Sequence, residues 1–400
     1  MRKQLFILLA LIIGGHLSAQ EEWSLERCIS YALENNLNIQ QAGTNVGFAE
    51  IDKKQSQHSR YPSLNISGRL NSNFGRSLDP ITDAFTTQNF ISNGFSVNTG
   101  MTLFNGFRIS NSIKQADMNL AAANLDLEQS RRDISLNVAN TYLSVLFADE
   151  NLAIAQTQLA TSQEQLKLTQ RLIDAGVRPA NESLDIMAQI ALNDQQVINA
   201  ENAKVISELN LKQLLMLDPD VVMNLQVPEN IDVTSDPDLL QFDELYTSSL
   251  RSQPNISAQD MRVESAIMSE KIAKAGLYPS IGIGASLGSN YSNQGRKLEG
   301  FETEVIEQDI FFNGAQATIG TVQQVPTFID NPYLDQIDEN LAYGFGLNLS
   351  YPIYSNYSTR ANIERSKLSI INARTQSDLL KNQLKITVQQ ALADARAAKR

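Results

Sequence analysis

Two histidines are the whole imidazole supply of this 400-residue chain. His16 lies in an apolar leader and His58 stands alone, so neither a zinc or copper site nor a Ser-His-Asp triad can be assembled. Carboxylates are plentiful, and Glu299, Glu302, Glu304, Glu307 and Asp309 have the side chains that general acid and base catalysis uses. They fall in a segment that reads as a long solvated external loop between two strands, where such residues are ordinary surface charge. Gly282, Gly284 and Gly288 lie inside a strand pattern and not at the strand-to-helix turn that cradles a phosphate. Cys28 has no second cysteine to pair with, so packing must hold the fold. No catalytic, cofactor or metal site is expected. The net charge of -12 argues against nucleic acid, whose phosphates require a concentrated basic surface.

With no reactive constellation to position, the elements themselves must carry the function. At 42% hydrophobic and 19% charged residues the chain is too polar for a bundle of membrane-spanning helices. Arg2 and Lys3 precede an apolar run from Leu5 to Ile13 and a small-residue exit at Ser18-Ala19-Gln20, the layout of a secretory signal peptide over residues 1–19. The apolar run is shorter than the roughly 18 to 20 residues a spanning helix needs. The remaining chain is therefore expected to work outside the cytoplasm.

The sequence repeats itself. Leu25 to Leu70 aligns without gaps on Phe242 to Leu287, pairing Asn38-Ile39 with Asn255-Ile256 and Tyr61-Pro62-Ser63-Leu64 with Tyr278-Pro279-Ser280-Ile281. A second block, Phe95 to Ile113, aligns on Phe345 to Ile363. Each copy reads as helix, strand, loop, strand, long helix. Ser24 is the expected N-cap of the opening helix, Asn35-Asn36 its break, and Pro62 and Pro279 the points where helix gives way to extended chain. The repeats run from 20 to 217 and from 242 to 400, with a proline-bearing connector over 218–241.

Four segments alternate with a period of two. Leu64, Ile66 and Leu70 oppose Ser63, Asn65, Ser67 and Arg69; Phe95, Val97, Met101 and Leu103 oppose Ser96, Asn98 and Thr102. Ile281, Ile283, Ala285 and Leu287 oppose Ser280, Gly282, Gly284 and Ser286, and Tyr343, Phe345, Leu347, Leu349 and Tyr351 oppose Gly344, Gly346, Asn348 and Ser350. Aromatic residues gather near the strand ends, as at a membrane interface. A lone pattern of this kind also suits a soluble sheet with one wet face. In lipid an open four-stranded sheet would leave bare edges, and closed membrane barrels begin at about eight strands, so the membrane reading demands several copies.

Between Phe107 and Ile173 there is neither proline nor glycine, and apolar residues recur every seven: Ile113, Leu120, Leu127 and Ile134, then Val138, Val145, Leu152, Leu159, Leu166 and Ile173. A column of small residues, Thr141, Ala148, Ala155, Ser162 and Thr169, runs beside the second series. Gly176 and Pro179 end this rod, and a return helix begins near Asn181 with Leu184, Ala191, Ile198 and Val205 seven apart.

These features resemble the TolC family of outer-membrane efflux proteins. The resemblance rests on Ser24-Leu25-Glu26-Arg27-Cys28-Ile29-Ser30-Tyr31-Ala32-Leu33-Glu34-Asn35-Asn36, on Tyr61-Pro62-Ser63-Leu64, on Leu103-Phe104-Asn105-Gly106-Phe107-Arg108 and on the Ala175-Gly176 turn with Ser183-Leu184-Asp185-Ile186. It implies a mixed α and β membrane protein in which four strands per protomer contribute to a trimeric 12-stranded barrel, continued by a long α-helical coiled-coil barrel. The implied function is a passive exit duct in the bacterial outer membrane that extends into the periplasm, assembled as a homotrimer and joined to a periplasmic adaptor and an inner-membrane pump. Leu64, Ile66, Val97, Leu103, Ile281, Ile283, Phe345 and Leu347 would face lipid, and Asp174, Gly176, Val177, Arg178, Ser183 and Leu184 would form the adaptor-docking tip. Shifting Gly176 by the offset of the second block places the family's periplasmic constriction near position 426, so the natural protein is expected to run on beyond Arg400. The competing reading is a soluble periplasmic coiled-coil adaptor or scaffold, which would lack lipid-facing strands. The cargo and the pump served are not encoded in these features.

Overall fold

The computed structural model describes residues 22–78, 83, 85–86, 90–228, 236–312 and 314–399. The leader therefore lies outside the described residues. In chain order the helices are α1 (Leu25–Asn35), α2 (Leu37–His58), α3 (Arg108–Asp174), α4 (Glu182–Leu215), α5 (Phe242–Ser252), α6 (Pro254–Lys274), α7 (Tyr333–Glu339) and α8 (Ser358–Lys399). The strands are β1 (Glu22–Trp23), β2 (Ser63–Asn73), β3 (Ser77–Leu78), β4 (Phe85–Thr86), β5 (Phe90–Asn105), β6 (Asn224–Leu225), β7 (Ser280–Ser292), β8 (Arg296–Phe312), β9 (Ala315–Asp330) and β10 (Ala342–Ser350).

Local chemistry sets these boundaries. The Ser24 hydroxyl accepts from the Arg27 N–H at 3.2 Å and caps α1. Asn36 donates through its amide to the Leu214 carbonyl at 3.0 Å and accepts from the Asn38 N–H at 2.9 Å, so the break between α1 and α2 is also a tether to α4. α5 begins 217 residues after α1, and α8 begins 250 residues after α3. Even the strained entry to the long helices is repeated, since Gly106 and Phe107 have φ of 65° and 65° and Asn356 and Tyr357 have 49° and 64°.

Packing cuts across the two sequence repeats. One compact unit holds the chain up to Lys53, Gln115–Ala266 and the chain from Ser369; the other holds Lys54–Lys114 and Ile267–Leu368. In the first unit Trp23, Cys28, Ala32, Ile39, Ile134, Val138, Tyr142, Val145, Leu211 and Leu215 form one buried cluster. Each fully buried aliphatic side chain of this kind contributes about 1.5–3 kcal/mol. The stretch expected to be a plain connector adds to it, because β6 pairs in parallel with β1, and the Tyr142 hydroxyl reaches the carbonyls of Trp23 and Gln226. Polar seams join the other helices: Ser265 donates to the Asn119 side chain at 2.6 Å, and the Gln259 amide donates to the Ala373 carbonyl at 3.0 Å.

Burial pushes the Cys28 thiol from 9.0 up to about 11, with Arg27 pulling weakly the other way. Burial, then the neighbouring Cys28, raises the Tyr142 hydroxyl as well, while its bond to Gln226 acts in the opposite sense. The folded-state value of Cys28 lies above the unfolded one, so the protonated thiol stabilises the fold fully below about pH 9, and that stability is lost as pH rises through about 11. The urea midpoint is expected to fall across this window and to fall less steeply in Cys28→Ala.

In the second unit β10, β7, β5 and β2 form, in that order, an all-antiparallel sheet. The segment expected to be a solvated loop is instead a hairpin of β8 and β9, paired from Arg296↔Asp330 to Phe312↔Ala315 and turned at Gly314, whose φ is 81°. Its alternation was illegible because each face mixes acids with apolar residues: Phe301 and Val305 share one face with Glu307, and Glu302 and Glu304 share the other with Ile306. A buried polar node holds its base. The Gln336 amide donates to the carbonyls of Ser292 at 2.9 Å and Asn331 at 2.7 Å and accepts from the Ser292 N–H at 3.0 Å.

Candidate functional site

The sheet register decides which side chains share a face. Leu64 lies opposite Thr99, Ile66 opposite Val97, and Val97 in turn opposite Leu287; Met101 lies opposite Ile283, and Ile283 opposite Leu347. Ile281 is paired with Leu349, and Phe345 with Ala285. All four apolar sets thus fall on one continuous face, because directly opposed residues point the same way. Leu103 is the exception. A bulge between Thr102 and Phe104 sets Phe104, not Leu103, opposite Ile281.

The opposite face carries Ser63, Asn65 and Ser67, Ser96 and Asn98, Gly282, Gly284 and Ser286, and Gly344, Gly346 and Asn348. Ser67 and Ser96 share a hydrogen bond of 2.8 Å across it. On the apolar face Phe345 is 91% exposed and Ile66 77%. Nine strand residues at about 3.3 Å each span about 30 Å, which a tilt near 40° reduces to about 23 Å along a membrane normal, close to the apolar band of outer-membrane barrels. Among the described residues no helix is long and apolar enough to cross a membrane. Among the described residues both outer strands, β10 and β2, present one unpaired edge.

The helical hairpin is built to turn sharply. At the end of α3 the Val177 N–H donates to the Leu172 carbonyl at 2.9 Å and the Gly176 N–H to the Ile173 carbonyl at 2.8 Å, a Schellman closure that needs the left-handed φ of 74° at Gly176. Asp174 accepts from Gln170 at 3.0 Å, and Arg178 pairs with Glu182 at 2.7 Å. Ser183 is buried and donates to the Ala180 carbonyl at 2.8 Å, whereas Val177 and Leu184 are exposed. The tip therefore presents two apolar side chains beside an ion pair already satisfied within the chain.

Replacing Gly176 by alanine meets no neighbouring atom, so the cost is conformational and about 1 kcal/mol. Gly106 combines its positive φ with crowding, since a Cβ at this position would lie only 2.7 Å from the Ala275 carbonyl oxygen and 2.9 Å from the Tyr278 Cβ. Gly106→Ala is expected to destabilise markedly more than Gly176→Ala, as read from the two urea midpoints.

Along the hairpin, α3 buries Val138, Val145 and the small residues Ala148, Ser162 and Thr169, and the Asn193 amide of α4 donates to the Ser162 hydroxyl at 2.6 Å. The return helix differs from its sequence pattern. It buries Ser183, Asn193, Val197, Leu211 and Leu215, while Leu184, Ile198 and Val205 of the expected seam stay exposed. Tyr142 and Gln336 were not singled out by the sequence, although Tyr142 sits between Val138 and Val145 at spacings of four and three, the signature of a buried helix stripe.

An amphipathic four-stranded sheet, in a chain that also forms helices of 67 and 42 residues, defines the fold class of a TolC-like channel protomer. Residues 28–215 match the family model described as outer membrane efflux protein. The chain is 25% identical over 282 residues to an uncharacterised protein of Haemophilus influenzae, covering 70% of this chain and 60% of that one. It is 21% identical over 203 residues to the outer membrane protein TolC of Salmonella enteritidis, covering 50% of this chain and 41% of that one. Its fold matches the outer membrane protein VceC of Vibrio cholerae with a TM-score of 0.66 at 15% identity, over 90% of this chain and 75% of that one. Over residues 28–215 the chain is similar to outer-membrane efflux proteins, and it shares the fold of TolC-like channels. It spans less than two thirds of the length of these two sequence relatives.

Proposed function

We propose that the protein is a passive exit duct of the outer membrane, assembled as a homotrimer and reaching into the periplasm, where it receives cargo from an inner-membrane pump through a periplasmic adaptor. The observation that supports this most strongly is the four-stranded sheet with one bare apolar face and two bare edges. In hydrocarbon each unpaired backbone group costs several kcal/mol, so the edges must pair with other copies. Three copies supply twelve strands, with the small Ser, Asn and Gly side chains lining a wet lumen and Leu64, Ile66, Val97, Ile281, Ile283, Phe345 and Leu347 turned to lipid. The exposed apolar residues Ile198 and Val205, further along α4, are then covered by a neighbouring helix. Asp174, Gly176, Val177, Arg178, Ser183 and Leu184 form the adaptor-docking tip, in which Val177 and Leu184 supply the contact and Gly176 and Ser183 hold its shape.

Extracting outer membranes that contain the full-length protein with sodium carbonate tests the reading. An integral duct stays with the membrane and runs as a detergent-resistant oligomer. Release as a water-soluble monomer would sink it and favour a soluble adaptor or scaffold.

A further inference from the structure

Among all residues of β2, β5, β7 and β10, one alone is charged: Arg69. It lies on the polar face, in line with Ser67 and Asn71, opposite Gly94, which in turn lies opposite Asn290. Glycine at that rung puts no side chain beside the guanidinium. Arg69 is exposed, and it has no ion pair or hydrogen bond among the described residues. With Ser67, Asn71, Ser96 and Asn290, among others, it borders an open concavity of about 400 Å³. A cation kept on a membrane-sized sheet without a counter-ion needs contact with water, and its charge then acts on whatever passes. The carboxylates of β8 sit on the hairpin that leaves the sheet after Ser292, not on this face.

We propose that Arg69 sets the charge preference of the outer part of the pore: one uncompensated guanidinium per protomer, on an otherwise neutral wet face, favours anionic solutes there over cationic ones. The sign is opposite to that of the whole chain, whose net charge is -12, so bulk charge would mislead. This inference rests on the duct reading, which places the polar face in the lumen. The groups recognised are carboxylates, sulfonates and phosphates on the passing molecule, drawn by a point charge and not by a shaped pocket.

The test uses the full-length protein in outer membranes. Asn71→Cys places a thiol two residues from Arg69 on the same face, about 7 Å away. Cys28, the native thiol, is buried and does not compete. Rates are measured with a sulfonate-bearing and a trimethylammonium-bearing methanethiosulfonate, each normalised to its rate with a free thiol. The expected anion-to-cation rate ratio exceeds one, falls about threefold or more in Arg69→Gln at low salt, persists in Arg69→Lys and collapses toward one near 1 M salt. The salt series on the Arg69 background alone carries the test if Arg69→Gln fails to assemble. A ratio near one at low salt with Arg69 present overturns the proposal while leaving the duct intact. A thiol at Asn71 that reacts with neither reagent shows that the face is dry, and overturns both.

Discussion

Ile283→Lys is expected to cost about 2–4 kcal/mol of folding into a bilayer and to abolish the detergent-resistant oligomer, because a lysine on the lipid side of a barrel near mid-membrane loses its hydration with no partner to replace it. Ile283 lies on β7, between Met101 of β5 and Leu347 of β10, so neither sheet edge offers the new ammonium an escape. The control is Ser286→Lys on the same strand. Its side chain is on the polar face beside Asn98 and Gly344, and in a wet lumen it is expected to change folding by less than about 1 kcal/mol. Refolding both variants of the full-length protein from urea into vesicles reads the difference. Equal tolerance of the two lysines would mean that the apolar face meets water or protein and not lipid.

Tyr142→Ala is expected to be the most damaging single change in the helical unit, at about 3–5 kcal/mol, since it empties an aromatic volume from a site with no solvent exposure. More than packing is lost. The hydroxyl donates to the Trp23 carbonyl at 2.8 Å and is also within reach of the Gln226 carbonyl, so it staples the β1–β6 ladder to the long helix. Tyr142→Phe keeps the ring and leaves those carbonyls short of a donor, at an expected cost of about 1–3 kcal/mol. Chemical unfolding of the three proteins gives the order, and a loss below about 1 kcal/mol for the alanine variant would show that this cluster does not hold the unit together. Because Tyr142 is far in sequence from both Trp23 and Gln226, the same experiment probes how the start of the first repeat and the connector are joined to the long helix.

The two-sided pattern of each strand was legible because its signal is short in range. Alternation within a strand needs only successive residues, so it places Leu64 with Ile66, Ile281 with Ile283 and Phe345 with Leu347, while the register between strands puts the three pairs on one face. Leu103 shows the limit. A bulge inserts one residue into β5, and no local pattern announces it, so Phe104 and not Leu103 comes opposite Ile281. The β8–β9 hairpin escaped notice for a related reason, since a two-stranded ribbon with both faces mixed has no period to detect.

The sequence alone determined where elements begin and end and what each face of a strand is made of. Ser24, Pro62, Gly176 and Pro279 act on the backbone within a few residues of themselves, so their effects do not wait for a partner. Only the tertiary structure decided the strand order β10, β7, β5, β2, the parallel pairing of β1 with β6, and which stripe of α4 is buried against α3. These are matters of pairing between segments distant in the chain. A period of two or of seven says that a segment has an apolar side, but which surface covers that side depends on the competition among all the surfaces the folded chain brings within reach.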